Sequence, residues 1–484
     1  MKRTTLLLIF AAAFLPRFAS ALKGEVSVED LAKLKTVQYN LDLKVDYETE
    51  KIFGKCRLTV HNTGAAAFSE VPLLLYRLLK VQSVKDGRGE PLPFTQEILA
   101  FEDWEKLQVN SIRVTLNSPL RTGEKETLAI DYHGYILGYT ETGMSYVRET
   151  VNKEFTVLRQ DGRAYPEVGL PSWKVSRRIG LQDYDYRLNV TVPAPQIVAN
   201  GGRLLGVSTA DGWSTYSYEN IKPAWRMDAA IAAYAILQED AGLIKVFHFK
   251  EDAAGAAKIV AALKSTIDLY SRWFGPPEKI EGFAVIEVPD GFGSQADVTS
   301  ILQTRAAFQK QDQMYQLYHE VSHLFDVRCI DPFPARFEGE GMATFLQYLV
   351  QERIEGRAGS IKNGLDRILG RLKKEFAEDP KKIKVPMADY GKEDITDLSY
   401  TKGMVFFALL HELLGEEKFL ATMGSYYRKF RPTGATTADF ANHLRAESGR
   451  EVGRLLEDWI FGIKSSQDIA AGLSFEDLLK KCTL

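Results

Sequence analysis

The chain contains, at residues 313–325, the sequence Gln-Met-Tyr-Gln-Leu-Tyr-His-Glu-Val-Ser-His-Leu-Phe. Apolar residues recur around most of the circumference of a helix, which predicts a helix buried through the middle of a domain. Within it, residues 319–323 spell H-E-x-x-H. Side chains four residues apart on a helix lie on one face, roughly 5 to 6 Å apart at Cβ, so His319 and His323 can bind one metal ion. Glu320 would lie beside that ion, where it can take a proton from water.

The alternative for this motif is a surface helix that carries two unrelated histidines. The apolar pattern argues against it, because histidines on a buried helix need partners for their polar edges. A shared zinc ion would satisfy both rings. The motif therefore predicts a zinc site.

A third ligand is expected downstream, because a catalytic zinc ion takes three protein ligands and leaves one position for water. The stretch 337–348 offers two carboxylates, Glu338 and Glu340, at the start of a helix predicted over 340–355. Glu340 fits that helical pattern, and an antiparallel partner helix would present it to the metal. The alternative role for Glu340 is a favourable position near a helix N-terminus, which contributes about 0.3 to 1 kcal/mol. Glu340 is the predicted third ligand.

The order of patterns along the chain predicts a multidomain α+β protein. From about residue 37 to 237, alternating apolar and polar residues and turn signals predict an all-β, sandwich-like domain. After about residue 239 two strands and a helix over 253–274 follow, and from residue 311 onward the pattern is almost entirely helical, with helices predicted over 313–327 and 402–414 among others. The predicted domains are an N-terminal β domain over 22–238, a catalytic domain over 239–463 and a C-terminal tail over 464–484.

Composition and charge exclude some classes of partner. The 484 residues are 45% hydrophobic and 26% charged, with a formal net charge of −3, as in ordinary globular proteins. There is neither a basic patch nor a basic tail, so nucleic acid is not an expected partner. After the N-terminus no apolar stretch approaches the ~20 residues that span a bilayer, so no integral membrane segment is expected.

The first residues predict a secretory signal peptide over 1–21. Lys2 and Arg3 precede an apolar run over residues 6–15, and Ala19-Ser-Ala21 provides a cleavage site. The protein is therefore expected to be exported, to the periplasm or the extracellular space. The alternative is an uncleaved N-terminal anchor.

The cysteines do not form the pattern of a disulfide-framed secreted domain. Cys56, Cys329 and Cys482 are odd in number and far apart, so at most one bridge is expected. Cys329 lies six residues after His323, where metzincin peptidases place a third histidine. The glycine that those sites require is Asp326 here, which argues against Cys329 as a ligand.

Two motifs together resemble a known family. H-E-x-x-H at 319–323 followed by E-G-M-A at 340–343 resembles the zinc motif of the aminopeptidase-N and leukotriene-hydrolase type of gluzincin. The intervening segment 324–339 is two residues shorter than in the family, and Gly339 stands where asparagine is usual. The resemblance implies a zinc metallopeptidase with a thermolysin-like mixed sheet and a mainly α-helical catalytic domain over 239–463. It also implies a short form without the family's large C-terminal domain.

A second element of the resemblance concerns Tyr400. The sequence Tyr400-Thr-Lys-Gly403 is similar to the family's Y-x-K-G, whose tyrosine hydroxyl donates a hydrogen bond to the oxyanion of the tetrahedral intermediate. By itself, a tyrosine before a helix is more often a packing residue. The resemblance implies a catalytic role for Tyr400 beside Glu320.

One family feature is missing. The family's G-x-M-E-N stretch carries a glutamate that holds the free α-amine of the substrate, and residues 293–297 occupy its place with Ala296 at the glutamate position. Gln160, Asp161 and Asp297 are the residues that could compensate. If none does, strict aminopeptidase specificity is not expected.

These observations predict a zinc-dependent metallopeptidase that hydrolyses peptide bonds through a metal-activated water and is aminopeptidase-like. One Zn2+ ion on His319, His323 and Glu340 is the expected cofactor, and the partner is a peptide or protein substrate. Two alternatives stay open: an endopeptidase or other zinc hydrolase that does not read the free N-terminus, and a catalytically inactive secreted binding protein. The sequence leaves the oligomeric state open.

Overall fold

The computed structural model describes residues 27–180, 182–277, 280–448 and 452–483. The predicted signal peptide lies outside the described residues. In the described part, strands dominate up to residue 304 and helices dominate after it. The strands are β1 Leu34–Asp46, β2 Lys51–Asn62, β3 Phe68–Tyr76, β4 Leu79–Lys85, β5 Phe94–Phe101, β6 Trp104–Leu120, β7 Lys125–Gly134, β8 Thr156–Leu158, β9 Glu167–Val168, β10 Asp185–Pro193, β11 Ile197–Ala199, β12 Arg203–Ala210, β13 Trp213–Glu219, β14 Ala229–Ala232, β15 Ala235–Glu239, β16 Ile244–His248, β17 Phe283–Val288, β18 Gln295–Ala296 and β19 Ser300–Thr304.

The helices form most of the second half of the chain. Short 3-10 turns and two π-helical turns, at Phe337–Gly341 and Glu457–Phe461, connect or extend them. The α-helices are α1 Val28–Leu31, α2 Trp173–Gly180, α3 Ala253–Phe274, α4 Ala306–Gln309, α5 Tyr315–Ser322, α6 Met342–Ile354, α7 Ser360–Glu378, α8 Leu398–Leu414, α9 Glu416–Phe430, α10 Thr437–Glu447, α11 Gly453–Leu456, α12 Lys464–Ala470 and α13 Phe475–Thr483.

Two sheets build the N-terminal β region. One has seven strands in the order β12-β13-β10-β1-β2-β7-β4, and the other has four in the order β5-β6-β3-β9. Alternation of residue type makes β1 one-sided: Tyr39, Leu41 and Leu43 are buried, while Asp42 and Lys44, which alternate with Leu41 and Leu43, are exposed. One cluster of buried side chains joins both sheets. The sandwich-like β architecture is therefore confirmed.

A three-stranded sheet, β11-β14-β8, connects the β region to the catalytic region. All four residues of β14 are buried, so this strand is covered on both faces. Its side chains share a hydrophobic cluster with β17, where Ala230 and Tyr234 pack near Ile286 and Val288. The Tyr234 hydroxyl donates to the backbone carbonyl of Glu287 at 2.6 Å.

The catalytic region is built on a mixed five-stranded sheet with the order β15-β16-β17-β19-β18. The central strands β16, β17 and β19 are parallel, and β15 and β18 pair antiparallel at the two edges. Every residue of β17 is buried, as expected for a central strand covered on both faces. Helices α3, α5, α6, α8 and α9 contribute to the core beside this sheet. The mixed sheet with a mainly helical remainder confirms the predicted α+β fold class.

Two helix boundaries differ from the sequence-based prediction. The motif helix, predicted to run to Val327, ends at Ser322 and continues only as a 3-10 turn to Phe325. It stops because Asp326 has an extended backbone, ψ 151°, and its carboxylate bonds back to the ring of His323. Helix α8, predicted from Lys402, begins at Leu398, so Tyr400 lies within its first turn rather than before it. A tertiary hydrogen bond from the Ser399 hydroxyl to the carbonyl of Ala335 accompanies this earlier start.

The segment predicted as a C-terminal tail is helical where it is described, in α12 and α13. Lys481 in α13 contacts Asp468 in α12 at 2.7 Å, which ties the two helices together. The predicted domain boundaries themselves stay predictions. No helix in the described ranges combines the length and the apolar character needed to cross a membrane. The three cysteines are unpaired.

Candidate metal centre and active site

The three predicted ligands converge in the structure. One ligand atom each from His319, His323 and Glu340 lies within 4.8 Å of the others. Glu340 Oε2 is 3.3 Å from His319 Nε2 and 3.6 Å from His323 Nε2, so all three donors point at a common place. Residues four apart on α5 face one way, and the π-helical turn before α6 brings the carboxylate opposite them.

A side chain holds the remote nitrogen of each histidine. His323 Nδ1 lies 2.6 Å from Asp326 Oδ2, and His319 Nδ1 lies 3.2 Å from Gln347 Oε1. Such partners fix the ring orientation and leave Nε2 for a metal ion. Burial opposes the charged form of His323, but the carboxylates of Asp326 and Glu340 outweigh it and raise the pKa of this histidine to about 10.

The glycine at position 339 has a local explanation. A Cβ built there would lie 2.9 Å from Asp326 Oδ2, so the glycine leaves room for the carboxylate that holds His323. The departure from the family's asparagine at this position is therefore linked to the partner of a ligand histidine.

Glu340 is placed by an irregular turn. Residues 337–341 form one π-helical turn, and Arg336 before it has a left-handed backbone, φ 68°. Gly341 packs directly on Gly403 of α8, where a Cβ would meet the facing Cα at 2.6 Å. Burial opposes ionisation of Glu340, but Arg336 and the two histidines outweigh it and hold the pKa of this carboxyl well below its usual range. The carboxylate is ionised and ready to bind a cation.

Glu320 lies between the two histidines in sequence and is buried, with 8% of its surface exposed. Its carboxylate accepts a hydrogen bond from the backbone N–H of Ala296 on the edge strand β18. Burial raises the pKa of Glu320 above its ordinary value, and nearby Glu340 adds to the rise. These are the conditions under which a carboxylate serves as a general base near neutral pH.

Tyr400 lies over the metal ligands. Its ring stacks on His319, with centroids 6.0 Å apart and planes inclined by 7°. Burial raises the pKa of its hydroxyl well above the usual value, and Glu340 contributes to the rise. The hydroxyl is therefore a neutral hydrogen-bond donor next to the metal ligands.

The donor set fits a zinc ion. Two imidazole nitrogens and one ionised carboxylate oxygen, with partners on the far nitrogen of each ring, are the composition of a three-ligand catalytic zinc site. In the described residues, no other group of three or more histidine, cysteine, aspartate or glutamate side chains converges in this way. Cys329 is not in the group, and its thiol lies 3.6 Å from Asp331 instead.

The three candidates for an amine-binding residue lie in different surroundings. Gln160 hydrogen-bonds Glu167, and Asp297 is 8% exposed with its pKa raised by burial to about 7. Burial opposes the charge of Asp161, but Arg226 and Arg159 outweigh it and lower the pKa of its carboxyl. The side chain of Asp161 is 20% exposed. It is the candidate that combines an ionised carboxylate with access to solvent.

A buried polar network surrounds Asp161. The amide oxygen of Gln295, next to Ala296 on β18, accepts from Arg159 at 2.7 Å and from Arg226 at 2.9 Å. Its amide nitrogen lies 3.3 Å from Asp161. Arg159 also pairs with Glu149 at 2.5 Å, and Arg226 with Asp228 at 2.7 Å. The edge strand beside the metal site is thus bound to the β region by hydrogen bonds between the neutral amide of Gln295 and charged side chains.

Sequence reasoning missed several of these contacts, although spacing could have shown three of them. Asp326 follows His323 by three residues, Gln347 follows Glu340 by seven, and Arg336 precedes Glu340 by four. Spacings of three, four and seven residues would place two side chains on one face if the segment were helical. The Arg159 and Arg226 network left no such local signal, because its members come from distant parts of the chain.

Comparison with known proteins finds similarity to one peptidase family. Residues 302–459 match the peptidase family M1 domain. The chain is 20% identical over 345 residues to aminopeptidase M1-D of Oryza sativa subsp. japonica, covering 66% of this chain and 38% of the relative. It is 21% identical over 473 residues to glutamyl aminopeptidase of Bos taurus, covering 88% and 46%. The resemblance to the aminopeptidase-N type of gluzincin is confirmed.

One solved structure has the same fold as this chain over nearly the whole length of both chains. It is an M1 zinc metallopeptidase from Deinococcus radiodurans, a mutant form bound to a Tyr-Ser-Ala substrate, with a TM-score of 0.63 and 18% identity. The match covers 90% of this chain and 97% of that one. The chain spans less than half the length of the two curated relatives, whose activities are therefore not transferred with the match.

Proposed function

Because residues 302–459 carry a peptidase family M1 domain, we propose that the chain is a zinc-dependent peptidase that hydrolyses peptide bonds in an aminopeptidase-like manner. The observation that carries the proposal is the convergence of His319, His323 and Glu340, with Glu320 and Tyr400 beside them. The names of the curated relatives, which are aminopeptidases, and the ionised carboxylate of Asp161, which is partly accessible to solvent, support the aminopeptidase-like form.

His319, His323 and Glu340 would hold the ion. Zinc bound there supplies Lewis acidity, which activates a water molecule and polarises the scissile carbonyl. Glu320 takes the proton of the attacking water, because its carboxyl is buried beside the ligands and its pKa is raised. The same carboxyl then delivers this proton to the leaving amine. The neutral Tyr400 hydroxyl donates a hydrogen bond to the negative charge that develops on the carbonyl oxygen.

Replacement of the general base tests the proposal. We expect Glu320→Gln to lower kcat about 100- to 10,000-fold, the usual contribution of general acid–base catalysis, while zinc content and fold stay unchanged. Peptide hydrolysis read by mass spectrometry, metal analysis and circular dichroism on the parent and the variant provide the three readouts. Full activity in the variant would exclude this role for Glu320. A parent that binds no zinc would favour the inactive binding protein.

A second candidate is an endopeptidase or another zinc hydrolase that does not read a free N-terminus. It is favoured by Ala296, which offers no charge, and by Gln295, whose amide contacts both buried guanidiniums and Asp161. Peptide pairs that differ only in acetylation of the N-terminus distinguish the two candidates. An aminopeptidase cleaves only the free-amine peptide, whereas an endopeptidase cleaves both at the same internal bond.

We further propose that the protein acts outside the cytoplasm. The signal-peptide pattern over residues 1–21 supports export. Intact mass of the protein recovered from culture fractions tests this proposal. A mature chain that begins at Leu22 in the periplasm or medium agrees with it, and a full-length cytoplasmic chain contradicts it.

A further inference from the structure

Arg336 is held at the metal centre by a single nitrogen. Its Nη2 donates to the carboxylate of Glu340 and lies 3.5 Å from the hydroxyl oxygen of Tyr400. Its guanidinium carbon lies 5.8 Å from the centre of the Tyr400 ring. These contacts anchor one end of the guanidinium on the side where Tyr400 would meet the substrate carbonyl.

Within the part of the chain that the structure describes, the rest of this guanidinium has no hydrogen-bond partner. In the ranges that the structure describes, neither Nε nor Nη1 of Arg336 makes a hydrogen bond or an ion pair. Asp397 is close enough to act on it electrostatically but lies beyond ion-pair distance. The side chain is 45% exposed, so these N–H groups are open to solvent beside the site.

Other arginines near the site differ from Arg336 in this respect. The side chains of Arg159 and Arg226 are 0% and 2% exposed, and each has a carboxylate partner other than a metal ligand. Among the described residues, the acid that pairs with Arg336 is Glu340, whose charge a bound cation would share. When a metal ion is bound at the site, Glu340 would therefore balance the positive charge of this guanidinium only in part.

The backbone at this residue supports a role for the side chain. Arg336 has φ 68°, a left-handed conformation that glycine adopts without strain and that arginine adopts at a cost. If the turn required only this backbone conformation, glycine would be the residue that adopts it without strain. An arginine here indicates that the side chain contributes something that the turn does not require.

We propose that Arg336 binds a carboxylate of the substrate close to the scissile bond, so that the cleft selects peptides that carry one. The inference rests on the proposed peptidase function and names its substrate class. A guanidinium forms strong charge-assisted hydrogen bonds with a carboxylate, and the guanidinium of Arg336 lies beside Tyr400, the residue assigned to the substrate carbonyl. The carboxylate is either the C-terminus of a short peptide or an aspartate or glutamate side chain next to the cleaved bond.

Matched peptide pairs test the inference. One pair differs in a free or amidated C-terminus, and a second pair differs in Asp against Asn or Glu against Gln beside the cleaved bond. We expect the parent protein to favour the carboxylate member of at least one pair by about tenfold or more in kcat/KM, the range expected for a charged hydrogen bond. The pair that shows the preference identifies the source of the carboxylate.

Variants then assign the preference to one residue. Arg336→Gln should bring the ratio of kcat/KM values within the pair to about one, and Arg336→Lys should restore part of it. The ratio is taken within one enzyme, so a general loss of activity through Glu340 cancels. Arg353→Gln is the matched control, because Arg353 is 43% exposed and pairs with Glu416 in a surface ion pair. It should keep the parent ratio.

A binding measurement separates this inference from the proposed function. Glu320→Gln protein should bind peptides without turning them over, and calorimetry should show tighter binding of the carboxylate member. In the double variant, which carries Arg336→Gln in addition to Glu320→Gln, the two peptides of a pair should bind with equal affinity. A parent ratio near one in both pairs, or a ratio that Arg336→Gln leaves unchanged, overturns the inference while peptide hydrolysis stands. Absence of any hydrolysis contradicts the proposed function, and the binding arm still decides the role of Arg336.

Discussion

At the scale of single residues, the metal centre depends on side chains that do not touch the metal. The spacing of His319 and His323 shows that both can face one ion, but it does not show what holds each ring. Asp326 and Gln347 hold them through Nδ1. A ring held in this way keeps Nε2 aimed at the common point without further loss of freedom when the metal binds.

Removal of one such partner should weaken metal binding. We expect Asp326→Asn to lower the affinity for zinc about 10- to 100-fold, because the amide is a weaker acceptor for the imidazole N–H and no longer raises the basicity of the ring. Competition with a chromophoric chelator measures the affinity. Asp312→Asn is the control, because Asp312 is exposed at the turn before the motif helix. Equal affinities in the two variants would contradict this role.

At the scale of elements, two glycines explain how the parts of the site come together. Gly341 follows Glu340 and Gly403 follows Tyr400 by three residues, and their backbones are in direct contact. This contact presses the π-helical turn against α8, which places the carboxylate and the tyrosine hydroxyl in one site. The sequence shows both glycines within the motifs, but only the tertiary structure shows that they face each other.

A methyl group at this contact should separate the two elements. A Cβ at position 403 would lie 2.8 Å from the Cα of Gly341, and backbone atoms have no room to yield. We expect Gly403→Ala to lower the free energy of unfolding by about 1 to 3 kcal/mol, as overpacking usually does. We also expect it to lower kcat/KM by more than any rise in KM accounts for, because kcat falls as well. Urea unfolding and steady-state kinetics measure the two effects.

The same substitution at an open helical position provides the control. Gly370 lies in α7 with nothing within 4 Å of a built Cβ. Gly370→Ala should stabilise the protein by about 0.5 to 1 kcal/mol through helix propensity and leave kinetics unchanged. If both alanine variants behaved alike, close contact between the two elements would not be the reason for Gly403.

At the scale of the whole molecule, the contacts between the β region and the catalytic region include an apolar cluster and a polar network. The apolar contact is the cluster shared by β14 and β17, and the polar contact is the network around Gln295. Gln295 lies next to Ala296, whose N–H bonds to Glu320. The position of Glu320, the proposed general base, therefore depends on how the two regions are joined.

The stability of the folded chain should depend on pH through Glu287 in β17. This carboxyl is fully buried, and burial raises its pKa to about 9, with Asp252 adding to the rise. In the unfolded chain it would lose its proton near pH 4.5. Between these values the folded state binds the extra proton, so stability falls as pH rises, by at most about 1.4 kcal/mol per pH unit.

Glu287→Gln should remove this part of the pH dependence. The amide is neutral at every pH. In chemical denaturation, the free energy of unfolding of the variant should therefore rise progressively relative to that of the parent from pH 5 to pH 9. Glu97→Gln, at an exposed position of β5, is the control and should follow the parent curve. Parallel curves for the parent and Glu287→Gln would contradict the assignment.

Local sequence patterns predict many of the strands and helices of this fold. Alternation in β1, the apolar run of β17 and the helical period of α3 predict their elements, because a residue's hydrophobicity decides which face of an element is buried. Helix ends were less predictable. The motif helix ends early at Asp326 and α8 begins early at Leu398, and both ends are set by contacts with residues outside the pattern.

By itself, the sequence determined the candidate ligands, the general base and the tyrosine, because each stands in a short motif whose chemistry depends on residue type and spacing. Only the tertiary structure decided what surrounds them. It brought Arg336 to Tyr400, Gly341 to Gly403 and Gln295 to two buried arginines. Contacts between residues far apart in the chain depend on how the elements pack, and packing leaves no local pattern from which such contacts can be predicted.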